Sequence, residues 1–258
     1  MSVRHRDGAV NRVPDTLIVE EPMEIRLDEH LVTTTMRTPG HDFELAVGFC
    51  HGEGLLGGAA VNGVRYCGTG SAVDTEFNVV SVSTGGWAPE PAARLGTVSS
   101  SCGLCGSTAI DALTDRLDPV RPAAFDWSLL GAVAAQVTDQ QELFAATGAS
   151  HAAAAFTLAD GAVAVVREDI GRHNAVDKVV GRLLLDGHLP ALLADAPPTG
   201  LWVSGRASFE MVQKAWAGGF AVLASVSAPS ALAVDGARRG GIALAGFARG
   251  DNLTVYTS

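Results

Sequence analysis

The chain has 258 residues, 47% of them hydrophobic and 18% charged, and a formal net charge of −10. That length and apolar content support a substantial buried core and exclude a largely disordered chain. The acidic balance excludes a protein whose whole surface attracts nucleic acid or an anionic membrane, though not one with a local basic pocket.

The first dozen residues read as a flexible tail, with no apolar run that would make a secretory signal. Thr16–Val19, Met23–Leu27 and Leu31–Met36 are short β-type runs. Pro39-Gly40 then breaks the chain. From Asp42 onward Phe43, Leu45, Ala46, Val47, Phe49 and Cys50 fall at helical spacing, and the glycines at 52, 54, 57 and 58 should end that helix. Val61–Cys67 and Phe77–Val82 read as strands. Residues 83–101 form a loop rich in Gly, Pro, Ala and Ser that runs into Cys102-Gly103-Leu104-Cys105. Ser107 or Thr108 is placed to cap a helix through Arg116, ended by Asp118-Pro119. Asp126 caps a longer one bearing Leu129, Leu130, Val133 and Val137.

Beyond residue 150 strands and helices alternate. Ala152–Leu158 and Ala162–Val166 read as a hairpin around Asp160-Gly161, and Asn174–Leu185 as a helix. Leu201–Val203 is a strand, Ser208–Ala217 a helix, Phe220–Val226 a buried strand, Ser230–Arg239 a helix, and Ile242–Phe247 and Leu253–Tyr256 the last strands. The uncharged stretch Ala215–Val234 holds Gly218, Gly219 and Pro229, so it is not a clean membrane span of about 20 apolar residues. The alternation implies an α/β class with a mixed sheet covered on both faces, a three-layer α/β/α arrangement. The natural divisions are a tail at 1–15, an N-terminal α+β part at 16–106 ending in the C-x-x-C loop, and a C-terminal domain at 107–258.

Four cysteines in a chain this long do not make a disulfide scaffold. Cys50 on a helix face and Cys67 at a strand end read as core residues. Cys102 and Cys105 stand three positions apart between glycines, where two thiols can close a disulfide, share a metal, or act as attacking and resolving nucleophiles. The plain alternative is an incidental surface pair. A helix beginning near Ser107 would favour thiolate over thiol through its N-terminal amides. Upstream, His51-Gly52-Glu53 makes a partial match to the zinc-deaminase pattern, in which a His and two Cys hold the metal and a Glu moves protons. Ser101 stands where that pattern has proline, so a zinc hydrolase built on His51, Glu53, Cys102 and Cys105 is the second reading.

Arg167–Lys178 is a polar stretch between an apolar strand and an apolar helix face, a geometry that often holds phosphate or ribose. Its candidates are Arg172, His173, Asp177 and Lys178; the plain alternative is an exposed, salt-bridged helix start. Of the 18 basic residues only Lys178 and Lys214 are lysines. Ser204-Gly205-Arg206 is a similar strand-to-helix turn. Phe247-Ala248-Arg249-Gly250-Asp251-Asn252 joins the last two strands. Together these turns suggest a pocket along one edge of the sheet.

These stretches resemble the FdhD/NarQ family of formate dehydrogenase accessory proteins. The resemblance rests on SSCGLCG (100–106), REDIGRHNAVDKVVG (167–181), SGRASFEMVQKA (204–215), SAPSALAV (227–234) and GFARGDNLTVYT (246–257), with ELAVGFCHGEGLL (44–56) in the first helix. It implies a cytidine-deaminase-like fold in the C-terminal part and a cytoplasmic homodimer. It also implies a sulfurtransferase that takes sulfur from an IscS-type cysteine desulfurase as a persulfide. The acceptor would be the molybdenum bis-guanine-dinucleotide cofactor, loaded before insertion into formate dehydrogenase. By position Cys102 would carry the persulfide and Cys105 would be its partner. Residues 247–252 would contact the cofactor, with Arg172, His173, Asp177, Lys178 and Ser204–Arg206 around its guanine arms. A chaperone that only binds the cofactor is the non-enzymatic alternative.

Overall fold

A computed structural model describes residues 2–6, 8–66, 76–91, 111, 115–193, 195–250 and 252–258. The N-terminal residues expected as a tail pair as an antiparallel hairpin, β1 (Ser2–Arg6) and β2 (Ala9–Val13). Asp7-Gly8 is hairpin-turn chemistry, with Gly8 at φ 79°. The run Thr16–Val19 forms no strand; it lies between Pro14 and β3 with no strand partner among the described residues, leaving Leu17 80% exposed.

A four-stranded sheet follows, in the order β4 (His30–Arg37), β3 (Glu21–Leu27), β6 (Val79–Ser83), β5 (Gly63–Tyr66). Helix α1 (Asp42–Gly52) lies on it, where Leu45, Ala46, Val47, Phe49 and Cys50 meet Met23, Ile25, Leu27, Val80 and Val82. Burying each larger aliphatic or aromatic side chain of this kind stabilises by roughly 1.5–3 kcal/mol.

The second sheet has six strands, β12 (Asn252–Thr257), β11 (Ala243–Arg249), β10 (Val222–Ser225), β9 (Thr199–Val203), β7 (His151–Thr157) and β8 (Val163–Asp169), in that order. β9, β10 and β11 are parallel and the rest antiparallel, the expected mixed sheet. Period-two alternation sorts β7 between two cores. Ala153 and Ala155 face α4 (Arg172–Leu185), α5 (Phe209–Gly218) and α6 (Ala231–Gly240), whereas Ala152, Ala154 and Phe156 face α2 (Leu130–Asp139). Asp126 caps a single 3-10 turn, Trp127–Leu129, before α2 begins, and a short α3 (Glu142–Thr147) follows. Most of the helix expected at 107–116 lies outside the described residues, as do Cys67, Cys102, Cys105 and Asp251.

The two sheets meet through α1 and α4, which approach at glycines. A Cβ on Gly48 would stand 1.9 Å from the Asp177 carbonyl oxygen, and one on Gly181 1.8 Å from that of Glu44. No larger residue fits at either position without moving a helix.

Candidate functional site

The polar stretch that closes β8 and opens α4 is largely the joint between the two sheets. Asp169, fully buried, accepts from the Thr38 amide (3.1 Å), the Gly171 amide (2.8 Å) and Asn174 Nδ2 (3.0 Å). Lys178 Nζ lies 2.7 Å from Asp169 Oδ2 and donates to the carbonyls of Thr38 (3.0 Å) and Glu168 (3.2 Å), so its three protons are used inside the protein. Arg167 forks onto both carboxylate oxygens of Glu44 in α1. Glu168 accepts from the amides of Leu143 and Phe144 (2.8 Å each) at the start of α3. Each of these charges is closed off because its partner comes from another element.

Asp177 and Lys214 make a second buried pair, with Lys214 Nζ at 2.7 and 2.9 Å from the two carboxylate oxygens. Burial lifts the Asp177 carboxyl to about 6 even with the ammonium beside it. Burial opposes charge on Lys214 too, but Asp177 and Glu53 outweigh it and the ammonium titrates above its ordinary value. Thus both lysines of the chain, Lys178 and Lys214, lie inside it, and Asp177 and Lys178 meet internal partners rather than an open pocket.

A different set does reach open space. The carboxyl ends of β9, β10 and β11 border a cavity of about 540 Å³ with His151, Trp202, Ser204, Ala248, Arg249 and Gly250 among its lining. Parallel strands deliver their carboxyl-end turns to one side of a sheet, which is where α/β proteins bind ligands. Ser204 Oγ accepts from the Ala152 amide (2.9 Å) and lies 3.2 Å from His151 Nδ1. Burial, together with the charges of Arg172 and His173, pushes the His151 imidazole below its ordinary pKa.

Gly205 allows the close approach of this wall: a Cβ there would stand 3.3 Å from Arg172 Cδ and 3.7 Å from His151 Cε1. The Arg172 Nε is buried without a hydrogen-bond partner among the described residues. Next to it His173 Nε2 and Glu210 Oε2 lie 2.7 Å apart, and that bond holds the Glu210 carboxyl below its ordinary range. Arg249 Nε donates to the Val226 carbonyl (3.2 Å), tying β11 to the turn after β10. Phe247 turns through φ 54° and leaves its ring half exposed, and Arg206 and Asn252 are exposed.

The structure therefore gathers Ser204, Ala248, Arg249 and Gly250 at one cavity, with Arg172 and Gly205 behind its wall. It sends Asp177 and Lys178 elsewhere. His151 and Trp202 escape sequence reasoning because each sits in an otherwise apolar strand; only the pairing of β7 with β9 brings His151 to Ser204.

Of the zinc set, His51 and Glu53 are described. His51 Nε2 lies 2.8 Å from the Ala217 carbonyl oxygen, and burial depresses its pKa. Glu53 lies 3.9 Å from Lys214 Nζ. Among the described residues no group of three His, Cys, Asp or Glu is placed to hold a metal ion. No helix among them is long and apolar enough to cross a membrane.

Two joined sheets, with a cavity at the carboxyl ends of parallel strands, define a mixed α/β protein. Its close sequence relatives narrow the class. The FdhD/NarQ family model matches residues 18–258, and the chain belongs to that family. A Streptomyces avermitilis protein named sulfur carrier protein FdhD is 47% identical, over 98% of this chain and 91% of that one. One of the same name from Mycolicibacterium paratuberculosis is 46% identical over 95% and 90%. The fold matches a crystal structure of a Desulfotalea psychrophila protein described as a formate dehydrogenase accessory protein. The TM-score is 0.75 at 22% identity, covering 100% of this chain and 95% of that one.

Proposed function

We propose that the chain is a sulfurtransferase serving formate dehydrogenase. It receives sulfur from an IscS-type cysteine desulfurase as a persulfide on Cys102 and passes it to the molybdenum bis-guanine-dinucleotide cofactor, its acceptor substrate. The observation that carries this reading is the 47% identity, over 98% of the chain, to a protein named as a sulfur carrier. The C-x-x-C of Cys102 and Cys105 supplies the thiols, and the cavity beside Ser204 and Arg249 is of a size that small-molecule sites use. A cytoplasmic homodimer is part of the same proposal.

In this scheme the Cys102 thiolate attacks the outer sulfur of the donor's persulfide. The donor's S–S bond breaks, its own cysteine leaves as thiolate, and Cys102 keeps the persulfide. Release of that sulfur as sulfide needs an electron pair. Cys105 supplies it by attacking Cys102 and closing a disulfide, which a cellular thiol reopens; in the other role open to it, Cys105 assists a direct transfer. Incubation with desulfurase and cysteine tests the reading by intact mass. The wild-type chain should gain one sulfur atom and Cys102→Ala should not. A Cys102→Ala protein that gains it at Cys105 moves the role, and a wild-type chain that gains none overturns the reading.

A further inference from the structure

The turn after α1 carries contacts that neither the cavity nor the thiol chemistry uses. It runs through residues 53–58, Glu-Gly-Leu-Leu-Gly-Gly. Gly54 sits at φ 73° and Gly57 at φ 56°, backbone conformations that L side chains rarely adopt. A Cβ on Gly57 would stand 2.5 Å from Pro89 Cδ, and one on Gly54 1.9 Å from Arg116 Nη1. Arg116 Nη2 also donates to the Gly52 carbonyl at 3.1 Å. Pro89 and Arg116 flank one stretch of chain, and Cys102 and Cys105 lie between them in the sequence. Past Arg116 the chain stays pinned: Trp216 Nε1 donates to the Asp118 carbonyl and the Val120 amide to that of Gly240, each at 2.8 Å.

We infer that the turn after α1 is the base on which both sides of the cysteine-bearing stretch are seated, with Gly54 and Gly57 as positioning residues that leave room for Arg116 and Pro89. A turn that only reversed the chain would need positive φ and no such room. Gly58 is that case: at φ 86° it has no described atom within 4 Å of where its Cβ would be. Gly54 and Gly57 meet both demands. Seating both sides on one short turn fixes them relative to α1, and through Gly48 and Gly181 relative to α4. The geometry stands by itself; its consequence for sulfur transfer rests on the sulfur-carrier reading.

The test uses the full chain with Gly54→Ala, Arg116→Ala, the double variant, and Gly58→Ala as a control with left-handed strain but no neighbour to displace. One readout is the iodoacetamide labelling rate of Cys102 and Cys105 against pH, resolved by peptide mass. The other is the rate of sulfur loading from the desulfurase, and labelling of buried Cys50 reports unfolding in the same samples. Gly54→Ala should move the midpoint of the labelling profile and slow loading by ~10-fold or more, since transfer depends steeply on placement. Gly58→Ala should match wild type. The double variant should match Arg116→Ala, because truncating the arginine empties the space that the methyl needs. Equal effects of Gly54→Ala and Gly58→Ala, or additive effects in the double variant, overturn the inference. If Gly54→Ala exposes Cys50, Arg116→Ala decides: a shifted labelling profile supports the seat and a wild-type profile overturns it. A wild-type chain that takes up no sulfur defeats the carrier reading, while the labelling profiles still decide the seat.

Discussion

Lys214 Nζ in α5 lies 2.7 and 2.9 Å from both carboxylate oxygens of Asp177 in α4, with both side chains closed to solvent. The pair sits under the end of α1, where a Cβ on Gly52 would be 3.6 Å from either partner. Three helices therefore share one buried charge pair. Removing a single partner from such a pair is costly because the other charge stays behind, desolvated.

Lys214→Met should thus destabilise the fold by about 3–5 kcal/mol near pH 8, the usual cost of orphaning a buried ion. The loss should shrink at acid pH. Burial already holds the Asp177 carboxyl at about 6, above its ordinary 3.8, and loss of the ammonium raises it further. A carboxyl raised on folding contributes stability fully below its unfolded pKa and loses it as pH rises through its folded value. Urea denaturation at pH 5 and pH 8 measures this; an equal loss at both would mean that the carboxylate charge is not what the lysine compensates.

Gly48→Ala tests the contact that joins the two sheets. The added methyl would meet the Asp177 carbonyl oxygen at 1.9 Å, and backbone cannot swing aside as a side chain can. The helices must part, at a cost of about 1–3 kcal/mol or more. Gly63→Ala makes the control, since Gly63 has no described neighbour within 4 Å of the place of a Cβ. Thermal melts of the two variants should separate clearly, and coincident melts would show that α1 and α4 slide without penalty.

Cys50 should behave as a core atom rather than as a thiol. It is fully buried, and burial with the nearby Asp177 and Glu53 charges lifts its pKa to about 12. Thiolate is the reactive form, so iodoacetamide at pH 8 should leave Cys50 unmodified in the native protein and label it on unfolding in urea. Native labelling at Cys50 at a rate similar to Cys102 would contradict its burial.

The order of strands and helices in the large sheet was legible because its residues obey local rules. A continuous apolar run marks β7, Asp160-Gly161 marks the hairpin, and Ser230 caps α6 by accepting from the Ala233 amide. The site was legible only in part. Ser204 and Arg249 lie at strand ends, and strand ends are visible in a sequence. Lys178 reads as a ligand-binding cation because the sequence shows a charge after a strand, but not that Asp169, Thr38 and Glu168 wait around it. Those partners come from 9 to 140 residues away in the chain, which no local pattern reports. The N-terminal hairpin is hidden for the opposite reason: its strands are short and largely polar, so they carry no apolar pattern to read.

The cavity at the ends of β9, β10 and β11 makes the last prediction. If it holds a guanine dinucleotide arm of the acceptor, guanosine diphosphate should bind there as a probe. Arg249 lines the cavity and is anchored to the Val226 carbonyl at 3.2 Å, so its guanidinium is held beside the site. A hydrogen bond to a charged group contributes about 1.5–3 kcal/mol, so Arg249→Ala should weaken the probe by roughly 10-fold or more. Rising salt should weaken wild type more than the variant, since the variant has lost a charge contact. Arg12→Ala, an exposed charge on β2, keeps the net-charge change and should leave affinity unchanged. Calorimetric titration of the three proteins at two salt concentrations measures this. Equal weakening by Arg12→Ala and Arg249→Ala would trace the effect to overall charge and remove the cavity as the nucleotide site.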